Sequence, residues 1–137
     1  MENYYPGDEW IDWIGLSIYG TYGPQSSYAN DFRAEMEQIH ARILELAPSK
    51  PIIIAEFGTA KNNPNLDQAQ WAREALAAIT SLHYSNVIGF SWWNERWQND
   101  DDPAHDTTMR VQDNPDLASV FQELVGKNSI VLGEIAP

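Results

Sequence analysis

Apolar residues gather in three short runs, at 11–19, 51–57 and 87–93, separated by stretches in which they recur every three or four positions. The middle run, Pro51-Ile52-Ile53-Ile54-Ala55-Glu56-Phe57-Gly58, is nearly continuous and rich in β-branched residues, the pattern of a strand buried on both faces. Ile-Asp-Trp-Ile-Gly-Leu-Ser-Ile-Tyr over 11–19 and Val-Ile-Gly-Phe-Ser-Trp-Trp over 87–93 read as strands on either side of it. Between the first two runs, Phe32, Met36, Ile39, Ile43 and Leu46 mark one face of a helix over 31–47 that stops before Pro48. Ala69, Ala72, Leu76 and Ile79 mark a second helix over 66–82, and a third is expected over 115–125, with Gly126 as its cap. A long polar loop from Asn94 to Asn114 precedes that third helix, and Ile130-Val131-Leu132 reads as a short terminal strand. Strand and helix alternate three times within one domain's length, 1–137, which specifies an α/β fold with a parallel sheet.

Glu56 closes the middle run. The C-terminal ends of strands in such sheets are where ligands and catalytic groups gather, and a carboxylate with rigid apolar support before it and a flexible Gly58 after it reads as a positioned group. The outer strands overlay as Ile14-Gly15-Leu16-Ser17-Ile18-Tyr19 and Ile88-Gly89-Phe90-Ser91-Trp92-Trp93. Since side chains alternate, the bulky face wants helices over it, whereas the face of Gly, Ser and a terminal aromatic wants a tightly curved interior. Tyr19, Glu56 and Trp93 therefore meet at one rim: a phenol to hydrogen-bond the carboxylate and hold it ionised, and an indole to stack a ligand.

The charge balance narrows the ligand. Eight basic against twenty acidic residues give a formal net charge of -12, which repels nucleic acid and anionic membranes and favours a neutral or cationic partner. No apolar stretch approaches the roughly 18 residues of a membrane span, and the N-terminus lacks the basic-then-apolar pattern of an export signal, so the chain as given reads as soluble and its location is left open. The absence of cysteine excludes disulfides and thiolate metal sites. Six tryptophans and six tyrosines are many for this length. Trp10, Trp13 and Trp71 read as core residues, while Trp92, Trp93 and Trp97 crowd the end of the third strand where sugar rings could stack. The acidic run Asn99-Asp100-Asp101-Asp102 with His105 and Asp106 matches no calcium-loop spacing and reads as a solvated loop; no metal or cofactor is expected. His40 and His83 read as surface or boundary residues of the two helices.

Three separated motifs, Tyr4 to Gly15, Pro51 to Gly58 and Ser91-Trp92-Trp93-Asn94-Glu95, resemble the last three β/α units of clan A glycoside hydrolases. The resemblance is closest to the family 26 mannanases and related glucanases. It implies a partial TIM barrel, with Glu56 as catalytic nucleophile, Tyr19 as the tyrosine that hydrogen-bonds it and Trp93 as the sugar platform. Trp92 is the alternative platform, and Trp97 and Asn94 are further candidates for substrate contact. It also implies a β-linked polysaccharide or oligosaccharide as partner, no cofactor, and full-length relatives that are secreted. A retaining hydrolase needs a second carboxylate about 5 to 5.5 Å from the nucleophile. In the family that acid lies on the fourth strand, and a whole barrel takes about 250 residues, so the chain is expected to be incomplete for catalysis alone. Glu95 is a conceivable substitute acid. A non-catalytic carbohydrate-binding fragment, or a truncated product without independent function, are the competing expectations. Three strands with helices on one side leave the barrel-facing side open to water, from which self-association into a homo-oligomer is expected.

Overall fold

The computed structural model describes residues 2 to 132. Three parallel strands, β1 (Ile14–Tyr19), β2 (Ile52–Gly58) and β3 (Val87–Trp92), lie in the order β1-β2-β3. Helices α1 (Phe32–Leu46) and α2 (Gln68–Thr80) are the crossovers, and α3 (Pro115–Leu124) follows β3 after a long connection. Each helix starts where a short polar side chain satisfies free backbone N–H groups: Asp31 accepts from Ala34, Asp67 from Gln70, and Asn114 from Asp116 and Leu117. Pro115 at the first turn of α3 loses nothing by lacking an N–H there.

All three helices cover one side of the sheet. Leu16, Ile18, Ile52, Ile54 and Phe57 are buried against Phe32, Met36 and Ile43 of α1, Trp71, Ala72, Ala75, Leu76 and Ile79 of α2, and Leu117 and Val120 of α3. Phe57 is the hub. Its ring meets Phe90 and Trp92 edge-on at 5.8 and 5.1 Å, and Trp92 in turn meets Phe121 at 5.2 Å. Edge-to-face pairs of this kind add to the stabilisation from burial alone.

The pairing of β1 with β2 slips once: Leu16 opposes Ile54, but the next residue, Ser17, opposes Glu56. Ala55 is the extra residue of a β-bulge. It and Glu56 both fall on the side away from the helices, where a Cβ on Gly15 would lie 3.8 Å from that of Ala55 and where Ser17 bonds Glu56. Bulges of this type re-aim a side chain next to functional sites.

Several expectations are corrected. Trp71 is 4% exposed, but Trp10 and Trp13 are 72% and 60% exposed, since no described element packs over the segment that precedes β1. The polar stretch after β3 contains a small antiparallel ribbon, β4 (Arg96–Trp97) paired with β5 (Thr107–Thr108). Residues 130–132 do not extend as a strand: they belong to a helical turn, α4 (Ser129–Leu132), where Asn128 Oδ1 accepts from the N–H of Val131. Gly126 bonds the Phe121 carbonyl without left-handed backbone, which is found instead at Gly7, Asn62, Leu82 and Asn86.

Candidate active site

β2 carries Glu56 two residues before its end, and β1 ends on Tyr19. The Tyr19 hydroxyl donates to Glu56 Oε2 at 2.9 Å, and the Ser17 hydroxyl approaches the same oxygen at 3.4 Å. One oxygen is thus held by the neighbouring strand, and the other, Oε1, has no hydrogen-bond partner among the described residues. The Tyr19 phenol is itself shifted: partial burial and then its bond to Glu56 push its pKa well above the ordinary 10.0, so it keeps the proton that it donates.

Trp93 reaches the same rim from the other side. Its N–H continues the ladder by donating to the Phe57 carbonyl at 2.8 Å, and its side chain is 37% exposed. Gly58 makes this approach feasible, because a Cβ there would lie 3.4 Å from the Cβ of Trp93 and 3.0 Å from the sulfur of Met109. Room for these neighbours, rather than flexibility, is what the glycine supplies.

Three other candidates have different surroundings. Trp92 is not a platform: it faces the helices, its ring packs on Phe57, Trp71 and Phe121, and its Nε1–H donates to the Met109 carbonyl at 2.7 Å. Strand alternation forces this, since Trp92 and Trp93 are consecutive and point to opposite faces. Asn94 is occupied structurally, its Oδ1 accepting from the N–H of Val111 at 2.7 Å. Trp97 lies in β4 and is 39% exposed. Glu95 is exposed, and its carboxylate accepts only from the adjacent Arg96 N–H, at 3.3 Å, among the described contacts.

The acidic loop beyond β4 is organised around His105, whose ring nitrogens meet Asp100 at 2.8 Å and Asp102 at 3.5 Å. The hydrogen bond that His105 donates to Asp100 raises the His105 pKa, and its reciprocal effect holds the Asp100 carboxyl below the usual range. His40 bonds the Ser85 carbonyl, and His83 meets the Tyr84 ring edge-on. Among the described residues no group of three His, Asp or Glu side chains is arranged to hold a metal ion.

Sequence reasoning missed Ser17 and two tyrosines of the β1–α1 loop. Ser17 stands two residues before Tyr19 and so on the same face, a signal that was available. The ring of Tyr22 lies 5.6 Å from that of Tyr19 and stacks on Tyr28 at 5.1 Å with an interplanar angle of 23°.

No protein-family model matches the chain. Endoglucanase H of Acetivibrio thermocellus is 29% identical over 128 residues, which make up 92% of this chain and 13% of that protein. The solved endo-β-1,4-mannanase of Thermotoga petrophila superposes with a TM-score of 0.57 at 16% identity, over 93% of this chain and 28% of that one. The chain resembles a part of a clan A glycoside hydrolase. A family 5 mannosidase from Rhizomucor miehei shares the architecture of this glycoside hydrolase-like segment, with a TM-score of 0.53 at 18% identity over 89% of this chain and 38% of that one. The three parallel strands and their helices are a partial α/β barrel. Family 26 in particular is not singled out, since the mannosidase is a family 5 protein and the sequence relative is an endoglucanase.

Proposed function

We propose that this chain is the nucleophile-bearing segment of a retaining β-glycanase that acts on mannan or glucan, with Glu56 as the nucleophile. The observation that carries this reading is the 2.9 Å bond from Tyr19 to Glu56 Oε2 on the exposed side of a barrel-like sheet, with Trp93 one strand away. A carboxylate that is oriented through one oxygen can present the other to an anomeric carbon. In the retaining reaction that oxygen forms a glycosyl ester as the bond to the leaving oxygen breaks. An acid donates a proton to that oxygen, and water later cleaves the ester. Neither the exposed Glu95 nor the His105 cluster serves as the acid in this proposal, which assigns it to barrel strands beyond the three described. Trp93 stacks the sugar, with exposed Trp97 as a further contact.

The test is incubation with 2-fluoro mannosides and glucosides whose leaving group needs no protonation, followed by mass measurement and peptide mapping. An adduct on Glu56, lost in Glu56→Gln, is the expected result. Saturable oligosaccharide binding without any adduct would replace this reading by a carbohydrate-binding module. The open face of the sheet supports a second element of the proposal, that copies of the chain associate through it. A sedimentation profile of monomer alone removes that element without touching the first.

A further inference from the structure

The loop between β1 and α1 has no regular structure over residues 20–26, yet buried polar groups fix it. Asn63, 7% exposed, donates from Nδ2 to the carbonyls of Gly23 at 2.8 Å and Ser26 at 2.9 Å, and to Thr21 Oγ1 at 3.1 Å. Thr107, fully buried in β5, donates to the Tyr22 carbonyl at 3.2 Å. Burying an amide and hydroxyls is tolerated only when their hydrogen bonds are made. Here those bonds all hold one short loop still.

On this fixed loop the largest side chain is left in solvent. Tyr22 is 55% exposed, and its ring lies against those of Tyr28 and of Tyr19, the residue that bonds Glu56. An aromatic row therefore leads away from Glu56 over β1, opposite to Trp93 on the β3 side. A fixed, exposed tyrosine ring suits a ligand with apolar C–H faces rimmed by hydroxyl groups, and the net charge of -12 disfavours an anionic one.

We propose that Tyr22, backed by Tyr28, is a second sugar-stacking platform, taking a neutral pyranose unit of a β-linked glycan whose neighbouring unit lies over Glu56. The assignment rests on the functional reading above and adds to it a direction for the glycan, from Trp93 across Glu56 to Tyr22. A chain of several sugars is thus bound more tightly than a single one.

The experiment is a titration of this chain with cellohexaose and mannohexaose, following the ring resonances of tyrosine and tryptophan by NMR, in the native protein, Tyr22→Ala and Tyr22→Phe. The signals of both Tyr22 and Trp93 are expected to move with one of the hexasaccharides. Tyr22→Ala should weaken that binding about five- to tenfold, and Tyr22→Phe, which keeps the ring, should stay within about twofold. Hexasaccharide affinity unchanged in Tyr22→Ala, or a response at Trp93 without one at Tyr22, overturns the platform and leaves Glu56 as nucleophile. An adduct on Glu56 with no response at Tyr22 has the same meaning. No response at either ring, together with no adduct, overturns the functional reading and the platform with it.

Discussion

On the helix side of the sheet, Ile18, Ile52, Ile54 and Phe57 are at most 1% exposed and fill the space between strands and helices with carbon alone. On the other side of the same strands, Gly15, Ser17, Ala55 and Ser91 are exposed, and the larger groups are Tyr19, Glu56 and Trp93. The backbone ladder is common to both, so the difference lies in the side chains. One face lowers the free energy of the fold by removing apolar area from water, and the other takes a charged oxygen and two aromatic rings and holds them still. A residue's face should therefore decide whether its loss is felt in stability or in chemistry.

The largest effect is expected on the helix side. Phe57→Ala removes the hub of the aromatic cluster and should lower stability by about 3–5 kcal/mol in chemical denaturation, as large-to-small changes of fully buried aromatics do. A loss below about 1 kcal/mol would mean that the two faces are not divided as described.

Tyr19→Phe tests the open face by removing one hydroxyl and keeping the ring. Stability should change by about 0.5–1.5 kcal/mol, the net worth of an ordinary hydrogen bond. The rate of Glu56 labelling by a 2-fluoro glycoside should fall about 10- to 100-fold, because hydrogen bonds to charged groups are worth about 1.5–3 kcal/mol. A variant that labels at the native rate would detach the tyrosine from the chemistry.

The smallest effect belongs to neither face. His105 is raised from its ordinary 6.5, so its contribution to holding the acidic loop is present below that value and is lost as pH rises through the raised one. Asp100 is lowered from 3.8, so its contribution is present above that value and is lost as pH falls through the lowered one. Amide exchange of residues 99–106 should therefore be slowest between the two shifted values and should lose this profile in His105→Asn. Glu56 labelling should be the same in His105→Asn as in the native chain.

Much of the scaffold was legible because it follows short-range rules. The apolar run of β2 and the stripes Phe32-Met36-Ile43 and Ala72-Leu76-Ile79 record burial directly in their spacing. Alternation also placed Tyr19 and Trp93 on the face opposite Leu16, Ile18 and Phe90. What the sequence hid depends on partners remote in the chain. The loop of Tyr22 is held by Asn63, at Gly23, and by Thr107, 85 residues from Tyr22, and no local pattern announces either contact. Trp10 and Trp13 have the composition of a core, yet exposure is set by what packs over them. The two-residue strands β4 and β5 are too short to leave a periodic trace.

The doubled pair Ala55-Glu56 has a consequence for how this strand can change. Ile52 and Ile54 face the helices, and a strand in uninterrupted phase would send Glu56 after them into the apolar layer. The extra residue resets the count, so that the carboxylate emerges and Phe57 returns to the core. Deleting Ala55 would remove the doubling itself: strict alternation would then carry Ile54 to the helices, Glu56 to the open side and Phe57 to the core, as the bulged strand does now. A single insertion or deletion elsewhere in the strand exchanges the two faces, whereas loss of the doubled residue keeps them, so this is the one place where the strand can change in length.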